Sequence, residues 1–202
     1  MSRYTGPRTK KSRRYGVLLY GPSKSFERKN YPPGVHGEKG RRKQTDFALG
    51  LAEKQKLRLM YGLQEKQFRR YYEIALSRRG ITGETMLQLL ESRLDNQVYR
   101  LGFASTRRAA RQMVSHGHVT VNGRKVTIAS YLTRVGEVIS VRENAVSRQL
   151  ASKGLEATQV TPTPDWLQIN KETLKGEIKR VPSRDEIAPI VNEQLIVEFY
   201  SR

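Results

Sequence analysis

Apolar positions along this chain follow two rhythms, and the change between them marks a change of architecture. From Asp46 to about Met60, and again from about Gln64 to Arg79, apolar residues recur at helical spacing, with Gly62 and Gly80 as stops. In the second stretch Phe68, Tyr72, Ala75 and Leu76 follow i, i+4, i+7, i+8 spacing and predict a core face; Tyr71 and Tyr72 also have the chemistry to stack on bases, though packing suits them better. Leu87, Leu90, Leu94 and Val98 carry the rhythm through a third helix that starts near Thr82 or Thr85 and stops at Gly102. Ser105 or Thr106 then caps a helix that runs to His116 and ends at Gly117. Beyond it the period drops to two. Val119-Thr120-Val121 and Val135 to Val141 alternate as strands do, and Asn122-Gly123 suits the type I′ turn of a hairpin.

The C-terminal part breaks these rhythms with Pro162, Pro164, Pro182 and Pro189. Ser183 with Glu186 fits a capping box, and Asn192 with Glu193 opens a last helix. Leu195, Ile196, Phe199 and Tyr200 would share one side of it, a pattern that favours helix over the alternative strand.

Charge changes the picture. The chain of 202 residues has 38 Lys and Arg against 19 Asp and Glu, a net of +19. Residues 1–45 hold 13 basic and 2 acidic side chains, residues 46–92 hold 8 and 6, residues 93–157 hold 11 and 4, and residues 158–202 hold 6 and 7. The excess therefore sits in the first and third segments, and the second and fourth read as a near-neutral packed scaffold. A surplus this large repels itself in a compact free chain, and a polyanion relieves it. The first segment is an arm: Gly and Pro at 7, 16, 21, 22, 32, 33, 34, 37 and 40 preclude long helices. Its basic residues interleave with Tyr4, Tyr15, Tyr20, Phe26 and Tyr31, with Phe47 just beyond. That mixture suits phosphates and unstacked bases, and predicts an arm that orders on RNA.

The helix after Ser105 is the most informative stretch. At 100° per residue, Arg107, Arg108, Arg111, Gln112 and Ser115 fall within an arc of about 140°, opposite Ala109, Ala110, Met113 and Val114. Arg107 and Arg108 occupy the first turn, where the helix dipole disfavours cations, and Arg107 with Arg111 is a like-charge i, i+4 pair. Such a face predicts a phosphate partner. Arg124 and Lys125 leave the hairpin turn beside it.

Other classes of function find little support. No cysteine is present, which removes disulfides, thiol nucleophiles and thiolate zinc sites. His36, His116 and His118 lack acidic partners at metal-ligand spacing. There is no GxxxxGK[ST] phosphate loop, Gly34-x-x-Gly-x-x-Gly40 is a weak motif, and Asp95 has no paired acid for proton transfer. Absence of a long apolar run, a lipidation motif or a secretory signal argues against a membrane partner. No enzyme, cofactor or metal is expected. Two rivals remain: an RNA-modifying enzyme, which needs a catalytic domain that no motif here marks, and a DNA architectural protein, since phosphate attraction alone cannot separate DNA from RNA.

Particular residues carry a resemblance. Arg93-Leu94-Asp95-Asn96, Tyr99-Arg100-Leu101-Gly102, Thr106-Arg107 with Ala110-Arg111-Gln112, Val114-Ser115-His116 and Val121-Asn122-Gly123-Arg124 resemble the S-four RNA-binding module. Ser2-Arg3-Tyr4, Gly6-Pro7, Gly34-x-His36-Gly37, Glu53-Lys54-Gln55-Lys56, Tyr61-Gly62, Gln67-Phe68-Arg69, Tyr71-Tyr72, Thr82-Gly83-Glu84 and the run Asn192 to Ser201 extend the similarity to the bacterial and plastid-type small-subunit ribosomal protein four family over essentially the whole chain. Some members carry a cysteine zinc cluster in the arm, which this chain cannot.

The resemblance implies an α+β chain: a helical scaffold domain, an inserted small helix-plus-antiparallel-sheet RNA-binding module, and an extended basic N-terminal arm. The expected divisions are 1–45 for the arm, 46–92 plus 176–202 for the scaffold, 93–157 for the module and 158–175 for a connecting segment. It implies a structural constituent of the small ribosomal subunit that binds the 5′ domain of its RNA early and nucleates assembly. It further implies a part in translational accuracy, contacts with ribosomal proteins five and three, and a place at the channel through which messenger RNA enters. The setting is the ribosome in the cytoplasm, or the plastid stroma if the gene is organellar. Expected RNA contacts are Arg3, Arg8, Lys10, Lys11, Arg13 and Arg14 in the arm, and Lys54, Lys56, Arg69 and Arg93 in the matched motifs. The helix and hairpin add Arg107, Arg108, Arg111, Gln112, Ser115, His116, Asn122, Arg124 and Lys125, while Lys39, Arg41, Arg42 and Lys43 are the candidates for messenger RNA.

Overall fold

The computed structural model describes residues 4–39, 43–187 and 191–201. Among these the helices are α1 (Arg8–Tyr15), α2 (Lys24–Arg28), α3 (Asp46–Met60), α4 (Glu65–Leu76), α5 (Thr82–Glu91), α6 (Leu94–Arg100), α7 (Arg107–Ser115), α8 (Ala145–Ala157) and α9 (Glu193–Ser201). The strands are β1 (Val119–Val121), β2 (Arg124–Lys125), β3 (Val138–Val141), β4 (Leu167–Asn170) and β5 (Lys175–Ile178). The α+β class is as expected. The chain divides into one unit of Met1–Thr85 with Pro189–Arg202 and a second of Met86–Ala188.

In the first unit, α3 and α9 pack together although more than 130 residues separate them. Gly50 permits the approach, since a Cβ there would stand 3.2 Å from the carbonyl oxygen of Leu195. Phe68, Tyr71, Tyr72 and Ala75 of α4 are buried, and Tyr72 stacks on Tyr200 with ring centroids 4.8 Å apart. Leu76, expected in that core, is exposed. The buried stripe is centred between Tyr71 and Tyr72, and Leu76 falls about 90° from that line at the helix end. Thr45 caps α3, its hydroxyl accepting from the Ala48 amide at 3.3 Å. The arm holds two short helices and is not extended throughout: Arg13 donates to the Tyr31 carbonyl at 3.0 Å and lies over the Tyr31 ring.

The second unit is an antiparallel sheet in the order β2-β1-β3-β5-β4, with helices against one face. Val119 pairs with Val141 and Val121 with Ile139, and all four point into a core shared with Leu94, Val98, Ala110, Met113, Val114, Trp166 and Ile178. Asn122 (φ 48°) and Gly123 (φ 78°) both sit in the left-handed region that a type I′ turn requires. The expected third helix is two helices. Arg93 is extended between them, bridging to Leu132, and Leu94 donates to the Tyr131 carbonyl at 2.8 Å.

Two expectations about chain division meet contrary facts. Residues 158–175 are not simply a connection, and 176–178 are not scaffold: β4 and β5 lie in the module's sheet, with Ile139 opposite Gly176. Helix α8 was not expected at all. Its buried side is Ser147, Ala151 and Gly154 while Val146 and Leu150 are exposed, so the usual apolar signal is inverted. Gly154 lets α8 lie on the chain at Phe103, whose carbonyl oxygen would be 2.2 Å from a Cβ at that position. Gly154→Ala is expected to destabilise the second unit by about 1–3 kcal/mol, read as an earlier urea midpoint followed by Trp166 fluorescence. An unshifted midpoint would mean the contact relaxes freely.

Candidate nucleic-acid interface

Helix α7 starts where Thr106 accepts from the Ala109 amide at 3.2 Å and ends at His116–Gly117 (Gly117 φ 76°). Ala110, Met113 and Val114 bury one face; Arg108, Gln112 and Ser115 are exposed on the other, and Arg111 is half-buried. The hairpin carries exposed Arg124 and Lys125 on β2. Lys125 folds back on the helix end, where its Cε would be 2.3 Å from a Cβ at Gly117. The His116 and His118 rings stand 6.2 Å apart at the same end, and His118 shares a 2.9 Å hydrogen bond with Ser147. Arg108, Gln112, Ser115, His116, Arg124 and Lys125 thus belong to one cationic face built on a helix and a tight turn.

Several expected contacts have other work. Arg93 has no exposed surface, and its Nε and Nη2 donate to the two carboxylate oxygens of Asp95 at 2.9 and 2.6 Å. That removes Arg93 from the surface and accounts for Asp95. Arg107 is mostly buried: its Nε donates to Asn96 Oδ1 at 2.8 Å and its guanidinium lies 4.6 Å over the Tyr99 ring. A cation in the first turn of α7 is therefore stabilised from within the fold, which weakens the dipole argument at that position. Asn122 is exposed, yet its Oδ1 accepts from the Val138 amide at 2.9 Å and ties the hairpin to β3.

In the first unit, Lys54 is buried against Phe199 and Tyr200 and donates to Glu65 at 2.7 Å. Tyr200 also donates to Glu65 at 2.8 Å. Burial raises the Tyr200 phenol well above its ordinary range, and the Glu65 hydrogen bond adds to it. Burial works against the Glu65 carboxylate, but hydrogen bonds from Lys54 and Tyr200 outweigh it and hold its pKa low. Lys56 is mostly covered and paired with Glu53. Lys54 and Lys56 are thus parts of the packed scaffold. Arg69 is exposed and 3.2 Å from Glu73. In the arm, Arg8, Lys10 and Arg14 are exposed, whereas Lys11 and Arg13 are half-buried. Lys43 is exposed, and Lys39 ends a short 3-10 helix, Gly37–Lys39. Arg3, Arg41 and Arg42 lie outside the described residues.

Two residues of the second unit were not among the expected site residues, although Arg100 stands in a matched motif. Glu91 and Arg100 join Asn96 and Arg107 in a cluster drawn from three helices, which no single helical repeat links. Among the described residues no group of three or more histidine or acidic side chains is placed to hold a metal ion, and no helix is long and apolar enough to cross a membrane.

Exposed Arg108, Arg124 and Lys125 give α7 and the hairpin a positive surface, of the kind that polyanion-binding proteins present. Residues 3–91 match the family described as ribosomal protein S4/S9 N-terminal domain, and residues 92–139 match the S4 domain. The chain is 61% identical to a protein of Akkermansia muciniphila, 57% identical to one of Opitutus terrae and 49% identical to one of Thermus thermophilus. Each comparison covers the whole of both chains, and each relative is named small ribosomal subunit protein uS4. The chain belongs to this family of bacterial ribosomal proteins, whose members are structural and not enzymes.

Proposed function

We infer that the chain is a structural constituent of the small ribosomal subunit that binds its RNA through the α7 and β1–β2 face and the basic arm. The observation that carries this reading is the grouping of Arg108, Gln112, Ser115, His116, Arg124 and Lys125 on one face, with Lys125 laid against the end of α7. Phosphate attraction supplies the affinity, and the polar side chains between the cations select among RNA shapes. The finer assignment is early binding to the 5′ domain of the RNA, where the chain nucleates assembly. Ribosomal proteins five and three are its protein neighbours there, and it takes part in decoding accuracy. Lys39, Arg41, Arg42 and Lys43 face the channel through which messenger RNA enters. Family membership and full-length similarity to the uS4 proteins support a ribosome of the bacterial cytoplasm as its setting.

Ultraviolet crosslinking in cells followed by sequencing tests the assignment. Reads are expected to concentrate in the 5′ domain of small-subunit RNA. Recovery of mainly DNA, or of messages scattered across the transcriptome, would refute it.

A further inference from the structure

The second unit carries an acid at an unexpected place for a polyanion binder. Glu91, the last residue of α5, has no exposed surface. Its carboxylate accepts from Arg100 Nε at 3.0 Å, Arg100 Nη2 at 2.8 Å and Asn96 Nδ2 at 2.6 Å. Arg107 Nη2 stands 3.9 Å from the same group. Asn96 completes the set, because its Oδ1 accepts from Arg107 Nε at 2.8 Å while its Nδ2 is directed to Glu91. Aromatic rings hold the flat faces: Tyr99 lies 4.6 Å from the Arg107 guanidinium and Trp166 lies 5.8 Å from that of Arg100.

Three helices therefore converge on one buried carboxylate, and two guanidiniums share it. One arginine would suffice to neutralise a buried acid; with a second the cluster keeps a net positive charge. Both arginines keep about a fifth of their side-chain surface open, 22% for Arg100 and 19% for Arg107. The cluster is thus closed at the acid and open at the cations.

We propose that Glu91 is a positioning residue for RNA binding: its buried carboxylate, with Asn96, fixes Arg100 and Arg107 in one orientation at the edge of the α7 face. An RNA phosphate then meets guanidiniums whose side-chain freedom is already lost, so less entropy is lost on association. The proposal rests on the RNA-binding reading above.

The sign of one substitution separates positioning from simple charge. Glu91→Gln removes a negative charge, which by Coulomb attraction alone would tighten binding to a polyanion. Positioning demands the reverse: affinity of the full chain for a 5′-domain RNA fragment, at fixed salt, is expected to fall on the order of 10- to 100-fold. Trp166 fluorescence confirms that the variant is folded. In an Arg100→Gln, Arg107→Gln background the same change is expected to cost much less, because both of the groups it orients are gone. Equal or tighter binding by folded Glu91→Gln, or an undiminished loss in that background, overturns the proposal. If Glu91→Gln does not fold, Arg107→Lys decides, since it keeps the charge but cannot both meet Asn96 and lie flat on Tyr99. A loss matching that of Arg107→Gln supports positioning, and wild-type affinity overturns it. Wild-type protein that fails to prefer this RNA over competitor RNA would instead defeat the RNA-binding reading, and the proposal with it.

Discussion

The triple variant Arg108→Glu, Arg124→Glu, Lys125→Glu is expected to bind small-subunit RNA on the order of 100- to 1,000-fold more weakly at physiological salt. Each lost phosphate contact removes released counterions, so the slope of log K against log salt should become shallower by about 2–3. All three residues are exposed. Arg108→Glu even places an acid in the first turn of α7, where the helix dipole favours it. Stability should stay within about 0.5 kcal/mol, which separates lost binding from lost folding. Arg107 is left out on purpose, since a glutamate there would face Glu91 and unsettle the fold. Filter binding over a salt series measures both quantities. An unchanged slope would move the interface away from α7 and the hairpin.

Asp95→Ala is expected to cost the second unit about 3–5 kcal/mol, because it leaves the buried Arg93 guanidinium without its carboxylate. The double variant Arg93→Met, Asp95→Ala should recover much of that loss, as apolar replacements of buried pairs commonly do. Trp166 is the one tryptophan of the chain and is buried in this unit, so urea denaturation followed by its fluorescence reports on the unit directly. If the double variant is as unstable as the single one, the loss comes from Asp95 itself and not from the stranded cation.

The sequence reading succeeded where one face of one element carries the information. Phe68, Tyr72 and Ala75, the inward valines of β1, and the Asn122-Gly123 turn are local patterns, and each is present. It failed where a residue's meaning depends on a distant element. Arg93 and Lys54 were expected at RNA from the matched motifs, and only the fold shows that each is buried and paired, with Asp95 and with Glu65. Arg107 looked misplaced at a helix start because its partner lies two helices away. Strands β4 and β5 alternate correctly, but they are four residues each and stand among prolines, which reads as irregular chain. Charge counting marked the α7 and hairpin cations and could not tell an exposed arginine such as Arg108 from one that holds its neighbours such as Arg93.

The discontinuity of the first unit has a consequence for biogenesis. Its last helix, α9, is made after every other element described, yet it packs on α3 far earlier in the chain. The second unit closes once β5 has paired with β3, about 20 residues earlier in synthesis. Order of completion is thus the reverse of order of appearance: the N-terminal unit stays partly open until α9 has been made, after the second unit. Aromatic residues of α3 and α4 that α9 later covers stay uncovered through that interval. The surface that waits includes Tyr72, whose stacking partner Tyr200 is made only with α9.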